Sequence, residues 1–171
     1  MGFLDKLKQV GHAITGGAAV VTVELPEEIS LGKPFDVKVV AVVDDQELAI
    51  TGVYLLVRAD TEVQIDPSNI AISRRDQVEL SDDGWTDTEF GDPTHQEFGS
   101  EQTNEERIDQ ADERTLKPGE RAEWTLRVIL PADAKPSSYE EHRRHAWHIQ
   151  AGLDAVGNDP DSGWIEFKVG E

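Results

Sequence analysis

The sequence contains no cysteine and a single methionine. Disulfides, thiolate metal sites and cysteine nucleophiles are thereby excluded, and the composition suits a reducing compartment. No apolar run approaches the roughly 18 residues of a helical membrane span, and the N-terminus lacks the apolar stretch and small-residue cleavage site of a secretory signal. A cytoplasmic location is expected. No GxGxxG or GxxxxGK[ST] loop is present to cradle phosphate, and no GxSxG turn is present to raise a nucleophilic serine. Lysine is scarce, at seven residues.

What is abundant is negative charge. The 171 residues carry 35 Asp and Glu against 16 Lys and Arg, a formal net charge of -19. Such a surface repels phosphate backbones and anionic lipid, so nucleic acid is not expected as a partner, nor is membrane contact. The acids are concentrated. Asp76 to Arg114 holds 14 of them and only two bases, Arg107 and Arg114. A proteome-wide adaptation to salt would spread acids over every surface, whereas an interaction segment would gather them. The concentration favours a partner-facing role, and the shortage of lysine elsewhere keeps salt adaptation open.

Hydrophobic periodicity sets the expected elements. Phe3, Leu4, Leu7, Val10 and Ile14 stand at helical spacing, which predicts a short amphipathic helix over 1–16 ended by Gly16-Gly17. From Ala18 onward the pattern is that of strands. Ala19–Leu25 is β-branched, Phe35–Val43 alternates before becoming apolar throughout, and Ile50–Val63 sets Val53, Leu55 and Val57 against Tyr54 and Leu56. A weaker strand is expected over Asn69–Ser73. Lys117-Pro118-Gly119-Glu120 reads as a tight turn, after which Trp124, Leu126, Val128 and Leu130 alternate with Glu123, Thr125 and Arg127. Arg144–Ala155, with Trp147, Ile149 and Leu153 as core positions, and Gly163–Val169 complete the series. Strands separated by Gly/Pro turns, without intervening helices, indicate an all-β antiparallel sandwich over 17–171, with an acidic excursion at 76–114.

Four ordered segments carry a resemblance. They are Gly2-Phe3-Leu4-Asp5-Lys6-Leu7 through Gly17-Ala18-Ala19-Val20; Leu31-Gly32-Lys33-Pro34-Phe35-Asp36-Val37-Lys38-Val39 with Ile50-Thr51-Gly52-Val53-Tyr54-Leu55-Leu56-Val57; Leu116-Lys117-Pro118-Gly119-Glu120 with Trp124 to Pro131 and Pro136-Ser137-Ser138; and Ala146 to Asp154 with Ile165-Glu166-Phe167-Lys168-Val169. In this order they resemble the arrestin-like sporulation-control proteins of bacteria and archaea. The resemblance implies an arrestin-like antiparallel β-sandwich that acts as a cytosolic adaptor or regulatory scaffold, binding other proteins without a catalytic centre or cofactor. The long acidic stretch before the Pro-Gly-Glu turn departs from that pattern, and the chain corresponds to one lobe.

Chemistry-bearing constellations are few. His142, His145 and His148 lie beside Glu140 and Glu141, but in a strand His145 points away from the other two, and Arg143 and Arg144 oppose a cation. Asp154, Asn158, Asp159 and Asp161 gather in one loop and Asp82, Asp83 and Asp87 in another; a calcium-binding sandwich is the alternative reading, although neither spacing matches an EF-hand. Ser137 and Ser138 precede the histidines without a nucleophile elbow, so no catalytic, cofactor or metal residue is assigned. The acidic segment holds Trp85, Phe90 and Phe98 among acids that include Asp87. These four are the candidate partner-binding residues: aromatic anchors in a steering surround for a basic protein partner. The bland alternative is that the aromatics fold back over the sandwich edge or pair into its core.

Overall fold

Period-two alternation becomes strand wherever turn residues bound it. The structure, a computed structural model, describes residues 7–9, 18–64, 98–140, 143–157 and 159–171. Among these, nine strands follow in order: β1 (Leu7–Gln9), β2 (Ala19–Pro26), β3 (Pro34–Val43), β4 (Leu48–Gln64), β5 (Phe98–Leu116), β6 (Arg121–Ile129), β7 (Ser138–Tyr139), β8 (Arg143–Ala155) and β9 (Ile165–Phe167). One sheet has the order β1-β2-β3-β6 and the other β5-β4-β8-β7, with β9 also on β8. Every strand pairing is antiparallel. This is an all-β, two-sheet architecture, consistent with an arrestin-like sandwich.

The two inner faces supply the core. Val21, Val23, Val37, Val39, Leu126 and Val128 come from the first sheet, and Ile50, Val53, Leu55, Val57, Ile149 and Leu153 from the second, all almost wholly excluded from solvent. Even Ile50 and odd Val53 both point inward because β4 shifts register between Ile50 and Gly52. A bulge there reverses the alternation. Gly52 permits it, since a Cβ at that position would lie 2.8 Å from the Gln110 carbonyl oxygen.

The expected turns are present. Gly119 has φ +73°, and the Glu120 N–H donates to the Lys117 carbonyl at 2.9 Å. Gly32 has φ +67° and donates to Leu130 O at 3.0 Å, tying the β2–β3 connection to the end of β6. Positive φ at these two corners is what glycine supplies at little cost.

Two expectations change. The helix expected over 1–16 meets a strand at Leu7–Gln9, which pairs with Glu24–Pro26 of β2; the rest of 1–16 lies outside the described residues. The physical reason is that β2 otherwise leaves backbone groups of an edge unpaired, and a short strand satisfies them. The acidic excursion at 76–114 is likewise not an excursion throughout. From Phe98 its residues form the 19-residue strand β5, in register with β4 from Gln64↔Phe98 to Leu48↔Leu116. Backbone hydrogen bonding is indifferent to the polar side chains that hid this strand. The strand expected over Asn69–Ser73 lies outside the described residues.

Candidate functional site

Two strand edges lie on the same side of the sandwich. Among the described residues, β5 pairs only with β4, and β6 only with β3, so each is the last strand of its sheet. They meet through a side-chain bridge: the Trp124 indole N–H donates to Asp112 Oδ2 at 2.7 Å. Arg114 joins it, its Nε 3.0 Å from the same carboxylate and its guanidinium carbon 5.3 Å from the Trp124 ring centre. Opposite charges and a cation over an indole face suit one another at a partly buried rim.

The edges differ in character. β5 carries Glu101, Glu105, Glu106, Asp109, Asp112 and Glu113 against Arg107 and Arg114. From Glu105 to Thr115 its side chains are exposed, apart from half-buried Ile108 and Asp112. β6 alternates without a break, with Ala122, Trp124, Leu126 and Val128 buried and the odd positions exposed. Its polar face is a charge ladder. Glu123 lies 2.7 Å from Arg121 and 3.0 Å from Lys38, and Arg127 lies 3.1 Å from Asp36. Hydrogen bonds from Lys38 and then Arg121 hold the Glu123 carboxyl below its ordinary range, so it stays charged.

The outer face of the β4–β8 sheet pins β5 in place. Arg107 stacks 4.2 Å over Tyr54 and reaches both oxygens of Asp154, at 2.9 and 3.1 Å, while its Nε donates to Asp109. Burial, then the nearby carboxylates Asp161 and Asp159, push the Tyr54 hydroxyl above its ordinary pKa. Further along, Arg58 stacks 4.0 Å from Trp164, and Asp60 lies 3.1 Å from Arg58 Nε and 3.0 Å from His148 Nδ1. Arg144 pairs with Glu166, which also accepts from the Tyr139 hydroxyl at 2.8 Å. Burial alone would raise the Glu166 pKa, yet the hydrogen bonds from Arg144 and Tyr139 leave it lowered.

Of the candidate partner-binding residues, Trp85, Asp87 and Phe90 lie outside the described residues, as do Asp82 and Asp83. Phe98 opens β5 opposite Gln64. The histidines separate as strand geometry requires. His145 is buried on the core face, where its Nδ1 is 2.8 Å from Thr61 Oγ1, whereas His148 is on the outer face with Asp60; His142 lies outside the described residues. The loop acids are engaged with protein donors: Asp154 with Arg107, Asp159 with the Ala155 N–H at 2.9 Å, and Asp161 with the Gly163 N–H at 2.7 Å. Among the described residues no cluster of three or more His, Asp or Glu has a metal-holding arrangement.

Arg107, Tyr54, Asp154 and Trp164 were not legible as a set. Arg107, Tyr54 and Asp154 sit on three different strands, and only the pairing register of β4 with β5 and β8 brings them together, while Trp164, just before β9, meets Arg58. A period-two reading shows which residues share a face of one strand, but leaves the neighbouring strand's offset open.

Comparison with known proteins yields a likeness of fold. No family model matches the chain, and no curated protein matches it. The structure resembles the crystal structure of Spo0M, a sporulation control protein from Bacillus subtilis, with a TM-score of 0.54 and 17% sequence identity. The likeness covers 91% of this chain and 50% of that one, so the chain spans half the length of this neighbour. It supports an arrestin-like fold relationship. Among the described residues no helix is long and apolar enough to cross a membrane.

Proposed function

We propose that the protein is a non-catalytic, cytoplasmic adaptor or regulatory module that recognises a basic protein segment at the β5 edge. The observation carrying this reading is that the acidic segment and the last described strand of a sheet are, from Phe98 to Leu116, the same element. An extended partner added to β5 gains backbone hydrogen bonds along its length. Lysine and arginine side chains on that partner meet Glu106, Asp109 and Glu113, and the field of a chain with net charge -19 speeds their approach. The fold likeness to a sporulation control protein supports a regulatory role of this kind.

The test is capture of partners from native lysate by wild type and by Glu106→Lys/Glu113→Lys. Reversing exposed charges leaves the β4–β5 backbone ladder in place, whereas deleting residues of β5 would remove part of a sheet. Captured proteins with basic segments are expected to be lost with the variant while its melting temperature stays near that of wild type. Retention of every captured protein would refute recognition at β5. The calcium alternative makes a separate demand: Asp154 would have to release Arg107 to serve as a ligand. A rise in melting temperature with added calcium would favour it over the metal-free reading.

A further inference from the structure

The edge of β6 is complementary to a second copy of itself. Its backbone orientation follows from its pairing with β3. The Val43 N–H donates to Glu120 O at 3.0 Å, and hydrogen-bonded and non-hydrogen-bonded pairs alternate along an antiparallel ladder. Ala122, Trp124, Leu126 and Val128 therefore spend their backbone groups on β3, opposite Ala41, Val39, Val37 and Phe35. Arg121, Glu123, Thr125, Arg127 and Ile129 turn theirs toward the open edge.

A two-fold axis beside Thr125 then gives an antiparallel register in which every outward group meets its counterpart. Thr125 stands opposite Thr125 of the second copy, Glu123 opposite Arg127, and Arg121 opposite Ile129. Each Glu–Arg pair occurs twice by symmetry, and opposite charges directly across a ladder attract. The inner face matches as well. Trp124 falls opposite Leu126, and Ala122 opposite Val128, so the apolar layer continues from one copy to the next. Ile129, 56% exposed in the isolated chain, gains cover from the Arg121 stem of the second copy. Pairing β6 with β5 of another copy would instead set Glu106, Gln110 and Asp112 in line with that apolar layer. Such head-to-tail contacts build rings or open filaments instead of a two-fold dimer.

We infer that the protein forms a symmetric dimer by antiparallel β6–β6 pairing, which joins the two four-stranded sheets into one of eight strands. This leaves β5 of each copy outside the dimer contact, so the dimer and recognition at β5 stand or fall separately. The self-pairing also accounts for a nine-residue edge strand with neither proline nor bulge, devices that commonly block unwanted association.

Sedimentation velocity over a concentration series tests it. Wild type is expected to shift from monomer to dimer and no further. Glu123→Arg and Arg127→Glu each place like charges opposite one another in a self-pair, and each is expected to weaken self-association at least about tenfold. Mixed together, the two variants restore opposite charges across the ladder, and a heterodimer should form where neither associates alone. Thr125→Pro removes an edge N–H and should abolish the dimer, with circular dichroism melting to confirm that the variant folds. Should that variant not fold, the mixing experiment carries the test without it. A monomer at every concentration, growth beyond the dimer, or charge variants that associate as wild type would overturn the proposal.

Discussion

The two edge strands β5 and β6 touch through Trp124 and Asp112, yet they are held in the fold by different forces. β6 buries four consecutive inward positions and would be placed by hydrophobic burial even if its outer face were rewritten. β5 contributes Ile108 and Leu116 to the apolar interior, and between Glu105 and Thr115 it otherwise presents mainly charged and polar side chains. Its place depends on the backbone ladder to β4 and on a few side-chain clamps. Burial fixes which face of β6 points inward, and the clamps fix where β5 lies along β4. A strand held in that way can carry an acidic surface without a conflict between its fold and its charge.

Substitutions can break the contrast, beginning with the largest effect. Leu126→Ala empties a fully enclosed site on β6 and is expected to cost about 2 to 5 kcal/mol in denaturant unfolding, whereas Ile108→Ala on β5 should cost about 1 kcal/mol because its side chain is half-buried. Equal losses would mean that β5 is held by burial after all. Gly152→Ala comes next. Its Cβ would collide with the Tyr54 ring, and the ring must shift from beneath Arg107, at a cost of about 1 to 3 kcal/mol. Faster amide exchange in β5 than in β6 should accompany that loss. Asp112→Ala strips the acceptor from the Trp124 indole and releases Arg114, with an expected loss of about 1 kcal/mol. Tryptophan emission should then shift to the red.

The smallest effect is one of pH and serves as a control on the opposite side of the sandwich. Burial, followed by the nearby Lys135 charge, lowers the pKa of His145 below its ordinary 6.5. The folded state thus favours the neutral ring, while the unfolded chain takes up a proton first. Stability from this group is complete above pH 6.5 and is lost as pH falls through the lowered folded value. His145→Gln should flatten the stability profile in that window and leave in place the acid limb below 4.5, over which the lowered Glu166 carboxyl loses its stabilising charge as pH falls through its folded value. An unchanged profile between neutrality and the acid limb would show that His145 does not titrate on unfolding.

The same contrast explains what the sequence disclosed. Strands with one buried face announced themselves: β6 through Trp124, Leu126 and Val128, β4 through Val53, Leu55 and Val57, and β8 through Trp147, Ile149 and Leu153. The run Glu105-Glu106-Arg107-Ile108-Asp109-Gln110 has no apolar alternation, so β5 read as part of an acidic excursion. Leu7–Gln9 went the other way. Its helical spacing gave no sign of an open β2 edge, a demand set by tertiary pairing. Register governed the rest. The Arg107–Tyr54–Asp154 clamp joins residues 47 positions apart on β5 and β8 through β4, a relation absent from any local pattern.

Recognition at β5 is tested most directly by titrating the isotope-labelled protein with a strand-forming peptide of alternating lysine and valine, following every backbone amide by NMR. The predicted result is saturable shifts concentrated in Phe98–Leu116, abolished by Glu106→Lys/Glu113→Lys. Shifts gathered instead on β2 or β8, or no saturable shift at any peptide concentration, would contradict it.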